Sequence, residues 1–244
     1  MGKLLDKIRG LRKPSRPFCS VVVVAAGRSE RMGKDKLLLP LGGKTVLERT
    51  LLAVEQAERT DEIILVTRED LLVPFAEICR KLNLKKPVKI VKGGATRTES
   101  VLSGALESDP RAELIAVHDG ARPLATPELI DAVVTAAFRC NAAAPAVPVR
   151  DTIKCREGDH VTETVDRERL AAVQTPQVFE ASLLKAALQS AMETGAALTD
   201  DCSAVERLGK VVYLIDGDPE NLKITTPLDL VLAEAILEDR RRRA

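Results

Sequence analysis

The chain has 244 residues, 45% hydrophobic and 30% charged, which supports a proper core and allows one large domain or two small ones. Lysine and arginine number 37 against 36 acidic residues, so no global charge draws the chain to nucleic acid or an acidic membrane, and 2% aromatics argues against stacking on single-stranded bases. Five cysteines without a C-x-x-C pair and two histidines, His118 and His160, fit neither a closed disulfide framework nor a Cys/His zinc site.

Residues 1–17 form a basic arm with Leu4, Leu5, Ile8 and Leu11 at roughly helical spacing, but without the unbroken apolar stretch of a secretory signal. No run is apolar and long enough to cross a bilayer, and the cysteines read as reduced, buried fillers; the expectation is a cytoplasmic protein. Residues 19–26, Cys-Ser-Val-Val-Val-Val-Ala-Ala, predict a strand buried on both faces, as in a parallel sheet. A polar, glycine-containing loop follows over 27–35. Residues 45–58 hold Val46, Leu47, Leu51 and Val54 at a helical period, with Thr45 and Glu48 spaced as a capping box. A strand over 61–67, a helix over 71–82, a strand over 88–91 and a helix over 98–107 come next. A strand over 113–117, a helix over 127–139 with Pro127 in its first turn, and a strand over 143–149 continue the alternation. This rhythm predicts an α/β fold: a Rossmann-like, mostly parallel twisted sheet with helices on both faces. It breaks at 150–170, a polar, alternating segment that reads as a protruding hairpin arm, an interaction element rather than core. A strand over 172–179, a helix over 181–193, a strand over 211–215 and a helix over 227–240 complete a single domain spanning 18–239; the tail 240–244, with Arg240 to Arg243, reads as a solvated helix end.

The loop after the first strand is the first candidate for chemistry. In open α/β sheets ligands bind beyond the carboxyl ends of strands. The small residues Ala25, Ala26 and Gly27 let backbone N–H groups approach an anion, while Arg31 and Lys36 add positive charge. Together they suit a nucleoside triphosphate and the charge that grows on departing pyrophosphate. Composition alone would make this a solvated loop; its position after a buried strand decides for phosphate. It is neither a G-x-G-x-x-G fingerprint nor a Walker A loop: Gly43-Lys44-Thr45 lacks the required preceding glycine, whose place is held by Leu38, and reads as a turn and helix start.

The loop resembles the A-A-G-x-x-x-R-M-…-K signature of sugar-nucleotide and alditol-phosphate nucleotidyltransferases. Further motifs follow in order: residues 93–101 (Gly-Gly-Ala-Thr-Arg-Thr-Glu-Ser-Val), His118-Asp119-Gly120-Ala121-Arg122-Pro123, residues 148–154, Thr164-Val165-Asp166-Arg167, Gln174-Thr175-Pro176-Gln177, Thr199-Asp200-Asp201 and Asn221-Leu222-Lys223-Ile224-Thr225. Their joint order and spacing, over roughly 21–238, resembles the 2-C-methyl-D-erythritol 4-phosphate cytidylyltransferase family of the non-mevalonate isoprenoid pathway.

The resemblance implies a Mg²⁺-assisted reaction of CTP with methylerythritol phosphate. The nucleophile is a phosphate oxygen, ionised near neutral pH, so no Ser–His pair is needed and none is seen; catalysis is positioning plus charge neutralisation. It implies Arg31, Lys36 and Lys223 as catalytic cations. Ala25, Ala26, Gly27, Gly94, Ser100 and Asp119 are the implied CTP contacts, with Asp119 also the metal ligand. Arg122, Thr152, Arg167 and Thr199 are the implied alditol-phosphate set. Apart from the resemblance, Asp119 would be a turn or cap aspartate and Lys223 a lysine on an exposed sheet-edge strand. Gly120 stands where the family often has alanine, which loosens that turn, and Ala95 where some relatives carry an acid. Arg97 reads equally as structural or base-proximal. His118 reads as a packing or hydrogen-bonding residue and His160 as exposed on the arm. The family's arm hooks into a partner subunit, so the expected assembly is a homodimer with shared sites and arm exchange. The competing readings are ribitol-5-phosphate cytidylyltransferase, separated by turnover with each alditol phosphate, and an inactive nucleotide-binding regulatory protein, marked by CTP binding without pyrophosphate release. Neither nucleic acid nor membrane is an expected partner.

Overall fold

The structure, a computed structural model, describes residues 16–27 and 35–243, so most of the basic N-terminal arm lies outside the described residues. β1 (Cys19–Ala25) sits at the centre of the main sheet, parallel to β4 (Glu62–Thr67) on one side and β6 (Leu114–Asp119) on the other. β5 (Val88–Lys92) extends the sheet beyond β4, again parallel. β7 (Ala142–Pro148) continues it on the far side of β11 (Gln177–Glu180), which runs antiparallel between β6 and β7. β12 (Tyr213–Asp216) lies parallel to β7, and β10 (Ala171–Val173) antiparallel to it. Six of these eight strands therefore share one direction, as expected of a mostly parallel sheet.

The four consecutive valines are explained by layers on both faces. Val21 and Val23 pack with α1 (Val46–Gln56), α2 (Leu72–Leu82), α4 (Pro127–Cys140) and α7 (Pro227–Arg243), while Val22 packs with α3 (Arg97–Leu106), α5 (Ala181–Glu193) and α6 (Asp201–Arg207). The same alternation holds in β4, where Ile63 and Leu65 face one layer and Ile64 and Val66 the other. Fully burying each such side chain contributes about 1.5–3 kcal/mol. Gly104 lets α3 approach the sheet closely: a Cβ there would lie 2.6 Å from both Val22 and Val66. The capping box on α1 is present, with the Thr45 hydroxyl accepting from the Glu48 N–H and the Glu48 carboxylate from the Thr45 N–H. Gly42 and Gly43, both at positive φ, turn β2 (Pro40–Leu41) into β3 (Lys44–Thr45), so the Gly-Lys-Thr segment is a tight hairpin leading into the helix.

The fold differs from expectation at several places. The strand expected over 172–179 is two pieces, β10 and β11, both antiparallel to β7 and separated around Pro176, which has no N–H to give a ladder. α6 lies where no element is expected; it is one short stretch capped by Asp200 and held by buried Cys202, Ala204 and Val205. The tail is not a purely solvated helix end: α7 runs to Arg243, Arg240 binds Glu220 at 2.7 Å and the Leu124 carbonyl at 3.0 Å, and Arg243 binds Glu220 at 2.8 Å. Nor are all the cysteines buried fillers: Cys155 is exposed, although burial does push the Cys19 thiol up to about 12. The hairpin arm is present as β8 (Lys154–Glu157) and β9 (His160–Thr164), exposed throughout and carrying His160.

Candidate active site

The parallel strands β1, β4, β5 and β6 end along one rim and open onto a cleft of about 640 Å³. Ala25, Ala26 and Gly27 reach it from β1, Lys36 from the turn that follows the phosphate-type loop, Gly94 and Ser100 from the start of α3, Asp119 from β6, and Lys223 from the segment before α7. Arg31 lies outside the described residues.

Asp119 is the charge centre. Among the described residues three cations surround it: Lys223 Nζ at 2.8 Å, Arg122 Nε at 3.7 Å and Arg97 at 3.8 Å. Burial works to raise its pKa, but Lys223, Arg97 and Arg122 outweigh burial and hold the carboxyl below its usual range. Its turn is pinned rather than loosened by Gly120, whose N–H donates to the Val24 carbonyl at 2.9 Å and whose carbonyl accepts from the Thr50 hydroxyl at 2.9 Å. The Asp119 N–H donates to Thr175 Oγ1 at 3.1 Å, and Thr175 Oγ1 lies 3.0 Å from His118 Nδ1. His118 is fully buried; burial lowers its pKa to about 4, so at neutral pH it is an uncharged bracing group, as a packing role requires.

Lys223 is not on a sheet-edge strand. It follows β12 in a segment without strand pairing, where the backbone is fixed by distant partners. Asn221 is fully buried and donates to the Thr175 carbonyl at 3.0 Å; its own carbonyl accepts from Arg122 at 2.6 Å. The Ile224 N–H donates to the Ala121 carbonyl at 2.8 Å, and Lys36 Nζ donates to the Ile224 carbonyl at 2.8 Å. Lys36 and Lys223, 187 positions apart in sequence, are thus brought together on the floor of the cleft.

Ser100 lines the cleft but spends its hydroxyl locally, donating to the Thr96 carbonyl at 2.9 Å and accepting from the Gly94 N–H at 3.2 Å. The Ala95 N–H donates to the Glu99 carboxylate at 2.7 Å, so the backbone of this turn is already set. Gly93 permits the close approach, since a Cβ there would lie 3.0 Å from Ala26 and 2.7 Å from Ser100 Oγ. Arg97 makes a two-pronged contact with buried Asp201, at 2.9 and 2.7 Å, which assigns it a bracing role beside Asp119. One further cleft residue is not singled out by the sequence. Arg68, just beyond β4, lines the cleft and donates to the Gly27 carbonyl at 2.9 Å and to Asp35 at 3.0 Å. Its signal in the sequence was its place at the carboxyl end of a buried strand.

The four residues expected to meet the alditol phosphate lie apart from the cleft lining. Arg122 is buried beneath Asp119 and Asn221, and burial pulls its pKa down against the pull of Asp119. Thr199 is exposed just before the Asp200 cap of α6, and Thr152 and Arg167 are exposed on the arm, with Arg167 donating to the Arg150 carbonyl at 3.0 Å. Among the described residues no three His, Cys, Asp or Glu side chains form a metal cage. A single buried carboxylate in a cationic cleft fits a divalent ion that brings most of its oxygen ligands with a polyphosphate, rather than one held by protein alone.

Clustered cations around one buried carboxylate at the carboxyl ends of parallel strands define a site for transfer chemistry on a phosphate-bearing nucleotide. The family model "IspD: 2-C-methyl-D-erythritol 4-phosphate cytidylyltransferase" matches residues 19–239, and the chain belongs to this family. The 2-C-methyl-D-erythritol 4-phosphate cytidylyltransferase of Caldanaerobacter subterraneus subsp. tengcongensis is 47% identical over 222 residues, covering 89% of this chain and 98% of the relative. That of Halalkalibacterium halodurans is 44% identical, covering 92% and 99%. The crystal structure of 4-diphosphocytidyl-2C-methyl-D-erythritol synthase from Anaerococcus prevotii superposes with a TM-score of 0.82 at 33% identity, covering 91% of this chain and 96% of that one. No helix among the described residues is long and apolar enough to cross a membrane.

Proposed function

We propose that this chain transfers the cytidylyl group of CTP to 2-C-methyl-D-erythritol 4-phosphate, giving 4-diphosphocytidyl-2-C-methyl-D-erythritol and pyrophosphate. The observation that carries the reading is the convergence of Lys36, Asp119 and Lys223 on one strand-end cleft in a chain of this family. A phosphate oxygen of the alditol forms a bond to the α-phosphorus of CTP as the bond to the bridging oxygen of pyrophosphate breaks. The attacking oxygen is already anionic, so the protein need not remove a proton; it must place the two substrates and offset charge. Lys36 and Lys223 supply fixed positive charge at the reacting phosphates, with Arg31 as the third cation. Ala25, Ala26, Gly27, Gly94 and Ser100 form the CTP wall, whose tight turn favours a pyrimidine over a larger purine. A bound Mg²⁺ would be held by Asp119 together with the phosphates and would offset charge on the triphosphate; Lys223 lies 2.8 Å from the same carboxylate.

Arg122, Thr152, Arg167 and Thr199 form the alditol-phosphate pocket in this reading. The exposed arm at 150–170 brings Thr152 and Arg167 to the cleft of a second copy in a homodimer. The body is residues 18–239, and the setting is the cytoplasm. Pyrophosphate release across the four nucleoside triphosphates, with methylerythritol phosphate or ribitol 5-phosphate as acceptor, tests the proposal. Release is expected with CTP and methylerythritol phosphate. Turnover with ribitol phosphate alone, or CTP binding with no release, would overturn it.

A further inference from the structure

Arg68 carries an inference that rests on the proposed reaction. It is 23% exposed on the cleft wall, directly after β4, and its guanidinium is committed on every nitrogen. One terminal nitrogen donates to the Gly27 carbonyl at 2.9 Å. The other donates to Asp35 Oδ2 at 3.0 Å and Asp70 Oδ2 at 3.2 Å, and Nε donates to Asp70 Oδ1 at 3.1 Å. Two carboxylates therefore offset its charge, which makes it a poor phosphate ligand and a good brace. The other oxygen of Asp35 accepts from the Leu37 N–H at 3.1 Å and caps the short turn that carries Lys36. Arg68 thus joins the last backbone group of the β1 wall to the residue that aims Lys36.

We propose that Arg68 is a positioning residue: by gripping the Gly27 carbonyl and the Asp35 carboxylate together, it sets Lys36 over the cleft floor. A small misplacement of a catalytic group costs rate without costing much ground-state binding. The test uses the full chain with Arg68→Ala, Arg68→Lys, the near-isosteric Asp35→Asn and the Arg68→Ala/Asp35→Asn pair. We expect kcat for pyrophosphate release to fall about tenfold or more in Arg68→Ala and in Asp35→Asn, with KM for CTP changing less than about threefold. The double variant should be no worse than the weaker single, because both act through one contact. Arg68→Lys should recover only part of the rate, since an ammonium cannot reproduce the fork. Wild-type kcat in Arg68→Ala, additive losses, or a raised KM for CTP at unchanged kcat would each overturn the proposal; the last would make Arg68 a nucleotide ligand. A second readout does not depend on turnover: Lys36 acylation by an amine-reactive reagent, followed by mass spectrometry without nucleotide. It should speed up severalfold in Arg68→Ala and Asp35→Asn as Lys36 leaves the Ile224 carbonyl. Unchanged acylation overturns the positioning role even if the wild-type chain releases no pyrophosphate, an outcome that would defeat the reaction alone.

Discussion

In the cleft, charged groups are held by partners far along the chain: Asp119 by Lys223 and Arg97, Arg97 by Asp201, Lys36 by the Ile224 carbonyl. In the arm the bonds are local: Lys154 to Thr164, Arg156 to the Gly158 carbonyl, Arg167 to the Arg150 carbonyl, and the Val165 N–H to the Ile153 carbonyl. The arm also exposes Ile153 and Val161. A two-stranded hairpin with no core is marginal in water by itself. The cleft is therefore organised by contacts across the fold, whereas the bonds of the arm are those of its own hairpin.

The largest expected effects are in the cleft. Lys36→Ala and Lys223→Ala should each lower kcat by about two or more orders of magnitude, the usual cost of losing a donor that meets developing charge. Steady-state pyrophosphate release measures this, and near wild-type kcat in both variants would remove the two lysines from the reaction. Lys223→Ala has a second consequence. Among the described residues it leaves Asp119 with the more distant Arg97 and Arg122, at 3.8 and 3.7 Å, so the Asp119 carboxyl should titrate higher.

A smaller effect separates the two regions by stability. Gly104→Ala places a Cβ 2.6 Å from both Val22 and Val66, in the layer that supports the cleft. Overpacking of this kind costs about 1–3 kcal/mol, more than the ~1 kcal/mol that alanine returns through helix propensity. Val161→Thr in the exposed arm should change stability by less than about 0.5 kcal/mol. Urea midpoints of the two variants, taken at low protein concentration, check the difference; equal shifts would mean the arm is part of the cooperative core.

The same contrast explains what was legible in the sequence. The valine run of β1, the Thr45–Glu48 cap and the Pro127 start are local signals, and each corresponds to an element at its place. The sequence does not reveal α6 because seven residues give too few turns for a period, although Asp200 ahead of it is a plain cap. The sequence puts Lys223 on a strand because Leu222 and Ile224 look like one; Asn221, buried and bonded to Thr175 and Arg122, fixes the segment outside the sheet. The residues that line the cleft are legible through ordered motifs, each local. The pairing of Arg68 with Asp35 was not, since it exists only because β1 and β4 lie side by side.

The arm carries the last prediction. Arg167→Ala should raise KM for the alditol phosphate by about tenfold, the loss of a charged hydrogen bond, and raise KM for CTP less. The opposite pattern would take Arg167 out of that pocket. If the arm completes a neighbour's site, Lys36→Ala and Arg167→Ala damage different halves of it. Homodimers of either variant then hold two defective sites. A heterodimer holds one site with both lesions and one with neither, because Lys36 comes from one copy and Arg167 from the other. Purified heterodimers should therefore regain roughly half of wild-type turnover per dimer. If each chain used its own arm, every site in the heterodimer would carry one lesion, and turnover would stay at the average of the two parents. Recovery or its absence thus decides whether the exposed hairpin belongs to its own cleft or to its neighbour's.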